Sequence, residues 1–88
     1  MMAKAKPGFT IFKVLGDETR YNLACALLGG ERCACELPAI VRRAQPTVSL
    51  QLKYLLRAGI VSSRRDGKKI LYRISSSRAR SILGKGAL

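Results

Sequence analysis

The apolar residues of this chain fall into four short stretches at helical spacing, followed by one stretch of strict alternation. Phe9 to Leu15 predicts a short apolar helix that Gly16 breaks. Asp17 then offers its carboxylate to the orphan amides of a second helix, predicted over Glu18–Leu28 and stopped at Gly29-Gly30. Tyr21, Leu23, Ala24, Leu27 and Leu28 share one broad face of it, which makes it a core helix. A third helix is expected from Cys35 or Glu36 to Arg43, with Leu37, Ile40 and Val41 at i, i+3 and i+4. Pro46 opens a fourth, Pro46–Ala58, because its missing amide costs nothing at a first helical position. That helix buries Val48, Leu52, Leu55 and Leu56, and Gly59 ends it.

Alternation then takes over. Ile60–Arg65 reads as a strand, Asp66-Gly67 as a two-residue type I′ turn, and Lys68–Ser75 as the return strand. Ile70, Tyr72 and Ile74 lie on one face of that strand, with Lys69, Leu71 and Arg73 on the other. Ser75-Ser76-Ser77 is placed to cap a last short helix, Arg78–Leu83, and Gly84 and Gly86 weaken anything beyond it. The order is α-α-α-α-β-β-α, mostly α with a small β-hairpin. Two short helices with a tight connection, followed at once by a hairpin, make a winged helix-turn-helix. Met1–Gly8 is expected to be a flexible N-terminal arm, and residues 9–88 one domain with one small core.

Charge changes the picture from fold to partner. The net charge is +12 and His is absent. Met1–Ala44 carries seven Lys/Arg against four Asp/Glu, whereas Gln45–Leu88 carries ten against one, Asp66. A basic half of this kind favours a polyanion partner such as nucleic acid over a merely solvated surface, and with the winged helix-turn-helix the expected partner is double-stranded DNA. No apolar run reaches membrane-span length, and the basic N-terminus lacks the apolar stretch of a secretory signal, so a cytoplasmic location is expected. An enzyme is not expected. There is no acid–base pair and no Gly-rich phosphate loop, and without His a Cys/His nucleophile is impossible.

On a helical wheel of the fourth helix, Thr47, Ser49, Leu50, Lys53, Tyr54 and Arg57 face away from the buried side or flank it. Gln45 lies at the N-terminal tip and Gln51 at the edge of the buried arc. Gln45, Thr47, Ser49 and Gln51 are expected near base edges, and Lys53 and Arg57 at phosphates. An outward Leu50 fits a thymine methyl or is an indifferent exposed residue. Around the hairpin tip, Arg64, Arg65, Lys68 and Lys69 form a phosphate clamp or a minor-groove probe.

Cys33 and Cys35 stand at the entrance to the third helix. At i and i+2 the pair is not expected to close easily on itself as a disulfide. In an extended stretch, however, both thiolates point the same way and can hold one soft ion, whereas in a regular helix they diverge. Ligation should therefore favour an extended or distorted helix entry. As(III), Cd(II), Pb(II) and Hg(II) suit such thiolates better than Ni(II) or Co(II), which favour imidazole. The chemistry also admits a redox role for the same thiols. No organic cofactor is indicated. Cys25 is either a third ligand, from the same or another subunit, or a small buried residue packing like Ala.

Four segments carry a family resemblance: Leu-Gly-Asp-Glu-Thr-Arg from Leu15, Cys-Ala-Cys-Glu-Leu from Cys33, Gln-Pro-Thr-Val-Ser-Leu-Gln-Leu-Lys-Tyr-Leu from Gln45, and the stretch from Ala58 to Ile74. The chain resembles the ArsR/SmtB family of metal-responsive winged-helix repressors over Phe9–Ile74. The resemblance implies a homodimer on an inverted-repeat operator, released when an inducer binds, with the first and last helices at the dimer interface. It points to the arsenic/cadmium-type Cys-x-Cys subgroup. Some arsenic sensors of the family add a third Cys where this chain has Pro38. The family's zinc-type sensors use His on the last helix, and this chain has none. The expected function is a transcriptional repressor released by a thiophilic metal or metalloid, As(III) first. The alternatives are a thiol redox-responsive regulator of the same fold and a basic protein that binds DNA without sequence preference.

Overall fold

The computed structural model describes residues 7–86. The expected arm lies outside them except for Pro7 and Gly8, with which the first helix begins. The elements run α1 (Pro7–Val14), α2 (Glu18–Leu28), β1 (Arg32–Cys33), α3 (Leu37–Val41), α4 (Gln45–Arg57), β2 (Val61–Asp66), β3 (Lys69–Ile74) and α5 (Ser77–Gly86). The three strands form one antiparallel sheet in the order β1-β3-β2.

Helix boundaries follow the capping chemistry. The Asp17 carboxylate accepts from the Arg20 amide at 3.0 Å and starts α2 where the sequence places it. Ser76 Oγ accepts from the Ala79 amide at 3.0 Å and starts α5. The third helix is shorter than expected. Cys35 and Glu36 lie in a turn before it, and Arg42 ends it in the left-handed conformation at φ 57°.

Two further expectations are corrected. A strand, β1, stands between α2 and α3, held by antiparallel pairing of Arg32 with Tyr72 and Cys33 with Leu71. The hairpin turn is Gly67-Lys68, one residue later than expected, because Asp66 pairs with Lys69 at the end of the ladder. Gly67 has φ +64° and Lys68 is not among the positive-φ residues, the pattern of a type II′ turn with glycine first.

The core gathers Leu23 and Leu27 of α2, Leu37 of α3, Val48, Leu52 and Leu55 of α4, Ile60, and Leu83 of α5. Leu56 is only half-buried. Ile40, expected on the apolar face of the third helix, is 44% exposed, because five residues give α3 little more than one turn to bury. Helix α4 packs on α2, α3 and β2, so the helix-turn-helix and the hairpin share one support.

Candidate nucleic-acid interface and thiol site

The outer side of α4 carries most of the residues expected to meet DNA. Gln45, Thr47, Ser49, Lys53 and Arg57 are exposed, as are Leu50 at 51% and Tyr54 at 43%. Leu50, Lys53, Tyr54 and Arg57 line one shallow recess of about 120 Å³. Burying Val48, Leu52 and Leu55 dictates this presentation, since helical periodicity turns the residues between them outward.

Gln51 behaves differently. It is half-buried, and its Oε1 accepts a hydrogen bond from Arg20 Nη1 at 2.9 Å. Arg20 also donates through Nε to the Val14 carbonyl at 2.7 Å, and its guanidinium lies over the Tyr54 ring at 4.9 Å from the centroid. One α2 side chain thereby ties the end of α1 to two residues of α4. Periodicity alone does not find Arg20 as a site residue, since its α4 partners lie about 30 positions away.

On the hairpin, Arg64, Arg65, Lys68 and Lys69 are all exposed. Strand alternation divides them: Arg64 shares a face with Leu71, while Arg65 lies opposite Ile70 on the other. Arg64 is engaged by Glu31 through Nε to Oε2 at 2.8 Å and Nη2 to Oε1 at 2.7 Å. This fork holds the Glu31 carboxyl below the usual carboxylate range and raises the Arg64 guanidinium in turn. No local signal marks Glu31, whose partner is 33 residues away.

The thiols sit at the far edge of the same sheet. Cys33 ends β1 and is buried, whereas Cys35 is exposed in the turn before α3. Their Cα atoms are 5.2 Å apart, and the two sulfurs are in contact as a disulfide pair. The sulfurs meet because the chain turns sharply after Cys33 and brings Cys35 back over it. The chain passes from the strand that Cys33 ends, through the turn that holds Cys35, into α3. Glu36 Oε1 accepts from the Cys33 amide at 2.8 Å, and the Cys35 amide donates to Cys33 Sγ at 3.3 Å.

Cys25 is not brought to this pair. It is half-buried on α2 against the core. Its thiol acts on the Tyr21 hydroxyl and raises the tyrosine's pKa. Among the described residues, no three His, Cys, Asp or Glu side chains form a cluster able to hold a metal. The protomer therefore offers two soft sulfur donors at this place. Among the described residues, no helix is long and apolar enough to cross a membrane.

Comparison with known proteins adds to this geometry. A family model described as "Bacterial regulatory protein, arsR family" matches residues 17–63. The chain is 41% identical over 73 residues to a biofilm growth-associated repressor of Agrobacterium fabrum, covering 83% of this chain and 62% of the relative. It is 38% identical over 66 residues to the arsenical resistance operon repressor of Escherichia coli, covering 74% of this chain and 56% of that one. The chain thus spans little more than half the length of these curated relatives. The crystal structure of the transcriptional repressor BigR from Xylella fastidiosa superposes with a TM-score of 0.82 at 36% identity, covering 86% of this chain and 78% of that one.

Proposed function

Because the chain belongs to the arsR family of bacterial regulatory proteins, we propose that it is a DNA-binding transcriptional repressor whose grip on its operator is released at Cys33 and Cys35. It acts as a binding protein and not as an enzyme. The observation that carries this reading is the meeting of two sulfurs at the junction of the hairpin sheet and α3. A ligand on those sulfurs pulls on β1, which is hydrogen-bonded to β3, and on the entry to α3, which packs on α4.

The proposed DNA face consists of Gln45, Thr47, Ser49, Leu50 and Gln51 near base edges, with Lys53 and Arg57 at phosphates. Arg65, Lys68 and Lys69 extend it along the hairpin, with Arg64 held by Glu31. The repressor works as a homodimer on an inverted-repeat operator, in the cytoplasm. Phe12, 60% exposed on α1, supports an interface borne by the first helix.

The inducer is a soft thiophilic ion, with As(III) the first candidate and Cd(II), Pb(II) and Hg(II) in the same chemical class. Both sulfurs must be reduced to bind it, and the two-donor set requires a partner subunit's group or a small thiol to complete a three-coordinate ion. A coupling of about 1–3 kcal/mol between this site and the DNA face is enough for useful release.

The test is a titration of reduced protein with As(III), Cd(II), Zn(II) and Pb(II), following thiolate absorption and operator release together. As(III) should release DNA. Cys33→Ser and Cys35→Ser should abolish the release while leaving DNA affinity nearly intact. A Cys33→Ser protein that still lets go on As(III) addition sinks the reading.

The contact between the two sulfurs favours one second reading, a thiol redox switch in which an oxidant such as peroxide takes two electrons from the pair to form the disulfide. Mass spectrometry after mild peroxide, beside a DNA shift assay, separates the two. Unmodified thiols with DNA binding unchanged count against it.

A further inference from the structure

We propose that Arg20 is a positioning residue that turns the Gln51 amide oxygen toward itself, so that Gln51 meets DNA foremost as a hydrogen-bond donor through its NH₂. The inference rests on α4 being the DNA-reading helix. An arginine side chain carries donors and no acceptor, so the atom of Gln51 that faces Arg20 Nη1 at 2.9 Å is the oxygen. Arg20 is itself held on two other sides, by the Val14 carbonyl at 2.7 Å and by the Tyr54 ring, and does not swing freely.

The other end of the amide, Nε2, has no partner among the described residues. No buried side-chain nitrogen or oxygen there lacks a hydrogen bond, so Nε2 opens to solvent. Leu50 and Tyr54, the exposed large apolar residues of α4, are neighbours of Gln51 along the helix at one and three positions.

This orientation decides which base edges Gln51 accommodates. A free glutamine amide pairs with adenine in the major groove by accepting from N6 and donating to N7. Oε1 keeps a second lone pair, but with the oxygen turned toward Arg20 the NH₂ leads into the groove, and the two-bond pairing with adenine is disfavoured. The remaining NH₂ suits edges rich in acceptors: guanine, with N7 and O6, and thymine, with O4. Cytosine, which presents its N4 donor, is disfavoured, and adenine keeps N7 alone. Gln51 thereby favours guanine or thymine at one position of each half-site, and Arg20 sets that preference without touching the base.

The experiment is selection of bound sequences from a library randomised over the half-site, using the full chain as wild type, Arg20→Met and Gln51→Glu, with folding checked by circular dichroism. Wild type should enrich guanine or thymine at one position. Arg20→Met frees the amide oxygen, and adenine should gain about 5-fold or more there, the lower end of what a bidentate base contact discriminates. Gln51→Glu keeps a partner for Arg20 and removes the donor, so the guanine/thymine preference should disappear at that position alone. An Arg20→Met protein that weakens every sequence equally makes Arg20 merely structural and overturns the inference. If Arg20→Met does not fold, an unchanged profile in Gln51→Glu overturns it instead. A wild type that selects no sequence removes the operator reading itself, and this inference with it.

Discussion

Glu31 and Arg64 are joined by a two-pronged ion pair that bridges the residue before β1 to the hairpin strand β2. The pair runs beside a row in which Cys33 of β1, Leu71 of β3 and Arg64 of β2 stand in register across the sheet. The thiol loop and the hairpin are therefore one mechanical unit. Cys33 is joined to the hairpin by the strand ladder, and α3, which follows the thiol turn, packs on α4.

The pair has a pH signature. The hydrogen bonds from Arg64 stabilise the charged Glu31 carboxylate and hold its pKa below the usual range. A lowered folded-state pKa means that the interaction is fully present above the unfolded glutamate's titration and is lost as the pH falls through the lowered folded value. At neutral pH it is intact. Carboxyl-carbon NMR should show Glu31 titrating below the other glutamates, and Arg64→Gln should move it back toward them. A Glu31 titration unaffected by Arg64→Gln would contradict the pairing.

Gly67 is the position in the hairpin where a side chain meets backbone strain, at φ +64°. A Cβ there touches nothing within 4 Å, so the cost of substitution is conformational and not steric. Gly67→Ala should destabilise the protein by roughly 1–2 kcal/mol, as expected for an L-residue in the left-handed region. Thermal unfolding reads this directly. Lys68→Gly, one position on, should not reproduce the loss, because Lys68 is not held at positive φ.

Leu55 is fully buried in the α4 face that meets the core. Leu55→Ala should cost about 2–5 kcal/mol, from reduced burial and the cavity left behind. Leu50→Ala, on the exposed side of the same helix, should change stability by less than about 0.5 kcal/mol. Urea unfolding of the two variants at matched protein concentration checks the contrast. It also separates folding effects from DNA effects in any later work on Leu50.

Local chemistry in the sequence accounts for most of the architecture. Asp17 and Gly29 bound α2 as expected, because capping is a contact within a few residues. The burial of Val48, Leu52 and Leu55 fixes which side of α4 is free, so Leu50 and Lys53 are found from periodicity alone. What is not legible depends on pairing across distance. Strand β1 is two residues long and has no alternation of its own; it exists because Tyr72 and Leu71 pair with it. The hairpin turn is shifted by one residue because the ladder, and not the Asp-Gly dipeptide, sets the register. Glu31 and Arg20 meet their partners 33 and 31 positions away, beyond any local motif.

The salt dependence of DNA binding distinguishes the cations of the proposed interface. Removing one cation from a phosphate should flatten the slope of log K against log salt by about 0.9. Lys53 is exposed on α4 and forms no salt bridge among the described residues, so Lys53→Ala should lower the slope by close to that amount. Lys68 and Lys69, exposed at the hairpin, should behave alike. Arg64 should not, since its charge is already answered by Glu31 at 2.7 Å. Arg64→Ala is expected to leave the slope nearly unchanged, and Glu31→Gln to steepen it by freeing Arg64 for phosphate. Binding isotherms at several salt concentrations on one operator duplex measure all of these. An Arg64→Ala slope that falls as far as that of Lys53→Ala would show that Arg64 leaves Glu31 when DNA arrives, and that only the strand ladder then joins the thiol loop to the hairpin.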